Sequence, residues 1–181
     1  MRLPEVIATT ILAIRKDGKT AIGGDGQVTL DKTIMKHTTR KIRRLKGGKV
    51  LAGFAGGAAD GMALFEKFES KLEEFRGNVV RASVELAKEW RLDKAMRRLE
   101  AVLIVASKDN LFLISGNGDV IEPDDNVLST GSGSPYAQAA AKAFMRRCPD
   151  MTAEEIVKES LVIASEIDIY TNSNIVLEVL D

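Results

Sequence analysis

Histidine and cysteine are nearly missing from this chain of 181 residues, where His37 and Cys148 stand alone. One cysteine excludes an intramolecular disulfide framework and a zinc finger, and one histidine excludes a His-rich metal centre. A Ser-His-Asp triad would have to take His37 as its only base. Charge of a single sign is lacking as well: 26 Lys and Arg face 26 Asp and Glu, for a net charge of zero. That balance argues against a dedicated nucleic-acid binder, although a local patch could still act. Long apolar runs are absent. The longest charge-free apolar run in the middle, residues 50–59, is rich in glycine and far short of the roughly 18–20 residues that a membrane span needs. The first eight residues hold Pro4 and Glu5 and no long apolar stretch, so they do not read as a secretory signal. The cytoplasm is the expected location. What remains is 45% apolar and 29% charged, the mix of one globular domain with a core of its own.

The pattern along the chain alternates strands and helix pairs. Residues 9–15 are rich in β-branched side chains, Asp17-Gly18 makes a turn and residues 20–23 return, which reads as a hairpin. Residues 28–33 read as a short strand or loop, and residues 49–55 as an apolar strand ending at Gly56-Gly57. Residues 58–75 place Met62, Phe65, Phe68 and Leu72 on one stripe, and residues 79–98 are again amphipathic, with Asn78 able to cap them. Strands follow at 101–106, 111–115, 120–122 and 127–130. Residues 135–147 are Ala-rich and helical, Thr152-Ala153-Glu154-Glu155 is a capping-box pattern, and residues 174–179 close as a strand. The order predicts two sheets covered by helices on their outer faces, in one domain.

Four features could carry chemistry. Thr9 follows a short leader. A threonine at a strand start is ordinarily a strand former. Cleavage after Ala8, however, would free the α-amine of Thr9, whose unperturbed pKa of about 7.7–8.0 suits a general base. One residue would then hold both nucleophile and base, and no histidine would be needed. Residues 36–49 hold seven Lys or Arg and no acid, which usually marks a solvated face. No aromatic residue is interleaved, so base stacking has little support. A lysine of this run buried beside the Thr9 amine would lower the amine's pKa, and Asp25 is a candidate to hold that lysine. Gly53-Phe54-Ala55-Gly56-Gly57 leads into a helix and could let the chain turn or expose amides to an oxyanion. Neither it nor residues 45–49 has the spacing of a Walker loop. Gly131-Ser132-Gly133-Ser134-Pro135 is a helix-capping loop or a cluster of hydroxyls and amides at a site edge.

Several stretches occurring together in order resemble the HslV (ClpQ) peptidase family, relatives of proteasome β subunits. They are Thr9-Thr10-Ile11, Gly24-Asp25-Gly26-Gln27, Lys41-Ile42-Arg43-Arg44-Leu45, Gly53 through Asp60, Glu85 through Arg91, Gly116 through Asp119 and Gly131 through Ala140. The resemblance runs from Thr9 almost to Asp181. It implies an α+β fold, the four-layer α/β/β/α sandwich of N-terminal nucleophile hydrolases. Residues 1–8 would be a removable leader and residues 9–181 the peptidase domain. In the implied roles Thr9 is the nucleophile of a threonine-type endopeptidase and its own α-amine the base. Lys41 tunes the amine, Asp25 pairs with Lys41, the amide of Gly53 serves the oxyanion, and Ser132 hydrogen-bonds near the amine. Members of the family form two stacked hexameric rings, a dodecamer, and work with the hexameric AAA+ unfoldase HslU. The unfoldase uses the ATP and threads unfolded proteins into the chamber. Residues 58–98 would form the surface facing it. The resemblance also implies a bound Na+ held by backbone oxygens at Ser165, Asp168 and Thr171. Two features depart from the family pattern: the leader is longer than one or two residues, and Asp168 stands where a small neutral residue or cysteine is expected. A non-catalytic ring subunit and a nucleic-acid binder using residues 36–49 are the competing readings.

Overall fold

The computed structural model describes residues 6–7 and 10–181. The first long hairpin is β2 (Thr10–Lys16) and β3 (Lys19–Gly24), preceded by the two-residue β1 (Val6–Ile7). Asp17 and Gly18 both take left-handed φ values at the turn, as an Asp-Gly hairpin requires. Next come β4 (Val28–Leu30) and β5 (Thr33–Lys36), so the segment read as one strand or loop is two strands turning at Asp31, whose φ is +52°. β1, β4 and β5 form a small antiparallel sheet in which Val6 opposes Leu30 and Ile7 opposes Thr29.

A second hairpin follows, β6 (Ile42–Leu45) and β7 (Val50–Gly56), and then α1 (Ala58–Glu74) and α2 (Val79–Leu92). The second helix is shorter than the residues 79–98 expected from periodicity. Its C-cap, Asp93, is extended, and the Asp93 carboxylate accepts from the amides of Ala95 and Met96, which diverts the chain into a separate turn. β8 (Ala101–Ala106), β9 (Leu111–Ser115) and β10 (Val120–Ile121) complete a five-stranded sheet in the order β10-β9-β8-β7-β6. β11 (Val127–Gly131) and β12 (Val176–Leu180) flank the first hairpin in a four-stranded sheet, β11-β2-β3-β12. Between them lie α3 (Ser134–Arg147) and α4 (Ala153–Ile167). The capping box opens α4 as its sequence predicts: Thr152 and Glu155 each accept from the other's backbone amide.

Three apolar clusters account for the layering. Leu64, Phe65, Phe68 and Leu72 of α1 and Leu86 and Trp90 of α2 pack on Phe54, Leu103 and Ile114 of the five-stranded sheet. Gly61 is needed there, because a Cβ on it would fall 2.1 Å from the Phe54 ring. On the far side, Ile156, Val157 and Leu161 of α4 and Ala137 and Ala141 of α3 cover Leu12, Ile14 and Ala21. Ile11, Ile22, Ile42, Leu51 and Ile104 fill the space between the two sheets. The result is helices, sheet, sheet, helices, the four layers expected. No helix among the described residues is long and apolar enough to cross a membrane.

Candidate active site

Strand register assembles the site. In the four-stranded sheet Thr10 opposes Gly131, and Ile11 opposes Gly24. The first residue of β2 and the last residues of β3 and β11 therefore meet at one end, and Asp25 and Ser132 follow directly from the latter two. In the facing sheet Ile42 opposes Gly53, which sets Lys41 just ahead of β6. Residues far apart in the chain thus converge on the start of β2.

Among the described residues Lys41 is the one buried lysine, at 1% exposure, and its ion pair with Asp25 has both side chains inaccessible. Its Nζ lies 3.4 Å from Asp25 Oδ1 and donates to the carbonyl of Gln27 at 2.5 Å. Burial lowers its pKa from 10.5 to about 8, against the opposing pull of the Asp25 charge and hydrogen bond. Asp25 is held from several directions. Its Oδ1 accepts from the Thr10 amide at 3.1 Å, and its Oδ2 accepts from the amides of Gln27 at 2.9 Å and Asn172 at 3.2 Å. The loop leading to Lys41 is pinned against the same region. The side chains of Asn172 and Asn174 both donate to the His37 carbonyl, and Gly26 comes so close that a Cβ would sit 2.3 Å from that oxygen.

A second polar cluster holds the Thr10 side chain. The Gly133 amide donates to Thr10 Oγ1 at 2.9 Å, and Thr10 Oγ1 lies 2.7 Å from Thr171 Oγ1. Ser132 Oγ donates to Asp168 Oδ2 at 2.6 Å, and the Thr171 hydroxyl donates to the same oxygen. With the Thr171 proton committed to a carboxylate, Thr10 must donate to Thr171 while accepting from Gly133. Thr10 is thus fixed at both ends, its amide by Asp25 and its hydroxyl by Thr171 and Gly133.

Thr9 lies outside the described residues. Asp25, Lys41 and Ser132 all lie around Thr10, the residue that follows it. Gly53 sits between two strands. The amide of Phe54 donates to the Lys41 carbonyl and that of Gly57 to Glu100, so amides alternate between the β6 and β8 sides of β7. The Gly53 amide therefore faces Ile104 of β8, inside the sheet. The next β6-facing amide after Phe54 is that of Gly56, which lies beyond the end of β6. Ser165, Asp168 and Thr171 span the last turn of α4 and the loop after it. Ser165 Oγ is occupied by the Val162 carbonyl, and the Asp168 and Thr171 side chains are turned toward Ser132 and Thr10. Among the described residues no three His, Cys, Asp or Glu gather as a side-chain metal centre. The last turn of α4, which holds Ser165, nevertheless leaves carbonyl oxygens without intrahelical partners and favours positive charge, so main-chain ligation of a monovalent cation fits there, while the Asp168 carbonyl already accepts from the Thr171 amide. Reading the sequence missed Thr10, Gln27 and Asn172, which hold the network together. The Asp168-x-x-Thr171 spacing after a helix was the available signal for part of it.

The proteasome-subunit family model matches residues 6–180. The chain is 62% identical to the ATP-dependent protease subunit HslV of Aquifex aeolicus over 174 residues, covering 96% of this chain and 98% of that one. It is 57% identical to HslV of a Sulfurihydrogenibium species, covering 99% and 100%. The crystal structure of eukaryotic HslV from Trypanosoma brucei superposes with a TM-score of 0.90 at 44% identity, over 95% of this chain and 99% of that one. Four layers, a site built at the start of β2 and near-complete coverage of these relatives agree: the chain belongs to the proteasome-subunit family, in its HslV branch.

Proposed function

We propose that the chain is the proteolytic subunit of an ATP-dependent protease, a threonine-type endopeptidase acting through Thr9. The observation that carries this reading is the buried Lys41–Asp25 pair attached to the Thr10 amide, the atom bonded to Thr9. Once residues 1–8 are removed, Thr9 Oγ attacks the scissile carbonyl and the free α-amine takes its proton. The positive charge of Lys41 disfavours protonation of that amine, and Asp25 keeps Lys41 charged and in place. The C–N bond of the substrate breaks, the amine passes its proton to the departing nitrogen, and an ester to Thr9 remains. Water, deprotonated by the same amine, hydrolyses it.

Geometry supports two further parts of the machinery. The amide of Gly56, past the end of β6, is a better oxyanion donor than that of Gly53, which faces a neighbouring strand. Ser132, held by Asp168, and Thr171, which fixes Thr10, position the chain around the amine. An extended substrate adds to the edge of β4. The pairing of Val6 and Ile7 with Leu30 and Thr29 supports this, since chain just upstream of Thr9 already adopts that arrangement.

The relatives' names, ATP-dependent protease subunits, support a ring assembly working with a partner ATPase. We assign this chain to two stacked hexameric rings served by HslU, with α1 and α2 toward the unfoldase and unfolded proteins as substrates. Main-chain oxygens at Ser165, Asp168 and Thr171 would hold Na+ in a structural role. Replacing Thr9 with Ala tests the proposal. Cleavage of a small fluorogenic peptide is expected to vanish and to persist in part in Thr9→Ser, whereas full activity in Thr9→Ala would refute it.

A further inference from the structure

At the end of β6 away from Lys41, the β6–β7 turn, the α1–α2 loop, the β8–β9 turn and the end of β12 enclose an open cavity of about 910 Å³. Among the described residues, Arg44, Lys46, Lys49, Arg76 and Lys108 line it against Asp109 and Asp181, an excess of three positive side-chain charges in a chain whose total charge is zero. Arg44 is engaged by Glu178 and the Val179 carbonyl, and Asp181 by Lys19. No salt bridge among the described residues engages Lys46, Lys49, Arg76 or Lys108, and all four are exposed. The turns bring them together: the Lys46 side chain crosses onto the α1–α2 loop, where a Cβ on Gly77 would lie 3.3 Å from its Cε. Lys46 and Arg76 both take left-handed φ values, +51° and +54°, so two cations stand on backbone that favours glycine. Asn78 and Val79, at the start of the 14-residue α2, also line the cavity and add the favourable end of a helix dipole.

From this the geometry points to a binding site for condensed phosphate, a chain of phosphoryl groups either free or as the tail of a nucleotide. A single phosphate brings only about −1.5 to −2 at pH 7, less than the excess charge here. Cations carried on three separate turns suit an extended polyanion. Among the described residues the lining has no aromatic side chain, so base stacking contributes nothing and single-stranded nucleic acid is disfavoured. The site lies at the opposite end of β6 from the peptidase centre and does not depend on the peptidase reading.

Titration calorimetry of the assembled protein with sodium tripolyphosphate at low salt tests this. Saturable binding is expected, weakened about tenfold or more in the double variant Lys49→Glu, Lys108→Glu, which loses two charge-assisted contacts. Binding unchanged in Arg97→Glu, Arg98→Glu, an exposed basic pair elsewhere, would support the site. Equal weakening in that control would show generic attraction and overturn it. Adenosine triphosphate binding more tightly than tripolyphosphate would identify a nucleotide tail as the source, and equal binding would identify the free chain. No saturable tripolyphosphate binding, or binding of an RNA oligonucleotide alone, refutes the inference.

Discussion

The two ends of β6 hold lysines of opposite character. At one end Lys41 is buried, paired with Asp25 and lowered in pKa. At the other, Lys46 and Lys49 are exposed and face a cavity, with no salt bridge to either among the described residues. Only four strand residues, about 13 Å of chain, separate the two settings. The run is uniform in composition and divided in use. The first end has a single charge matched by a single carboxylate in a dry site, suited to tuning a neighbouring proton. The second has charge in excess and in water, suited to capturing an anion.

Substitutions at the two ends should differ most in catalysis. Lys41→Met is expected to lower kcat for peptide cleavage by at least about a hundredfold, the scale of disabling a general base. Steady-state kinetics on assembled particles reads this directly, and a kcat within a few-fold of the parent protein would break the distinction. Stability should differ next. Asp25→Asn leaves the buried Lys41 without its counter-charge and is expected to cost about 3–5 kcal/mol, whereas Asp109→Asn in the open cavity should stay within about 0.5 kcal/mol. Chemical denaturation of both variants checks the contrast.

A smaller effect separates the two ends by pH. The pKa of Lys41 is lower in the folded state than its ordinary 10.5, at about 8. Between those values the unfolded chain binds more protons at this residue than the folded one, so its contribution makes stability rise with pH across that window. Below about pH 8 both states are protonated and the contribution is flat. Lys41→Met should remove this rise and Lys49→Met should leave it, as measured by unfolding free energy against pH. The smallest expected change is Thr171→Val. It leaves the Thr10 hydroxyl without its acceptor and Asp168 without one donor, at about 1–3 kcal/mol.

Much of the architecture was legible from local pattern. The Asp17-Gly18 hairpin, the Asn78 cap and the Thr152–Glu155 box each work through neighbours in sequence, and each appears where the residues predict it. The end of α2 was not legible, because periodicity continued past Asp93 while that side chain was already drawing the backbone away. Which of seven basic residues would be buried could not be read from their spacing either. Arg43 and Arg44 are adjacent and both exposed, so β6 gives no clean alternation, and Lys41 is singled out by contacts with Asp25 and Gln27. Asp168 shows the same limit. Its helix-end position suits a cation, but the register of β11 against β2 brings Ser132 and Thr10 to its carboxylate side.

The most direct test of the central claim is the intact mass of the subunit in an active, assembled particle. A chain lacking residues 1–8 and beginning with a free Thr9 amine is expected. An undiminished peptidase that keeps its leader would contradict it.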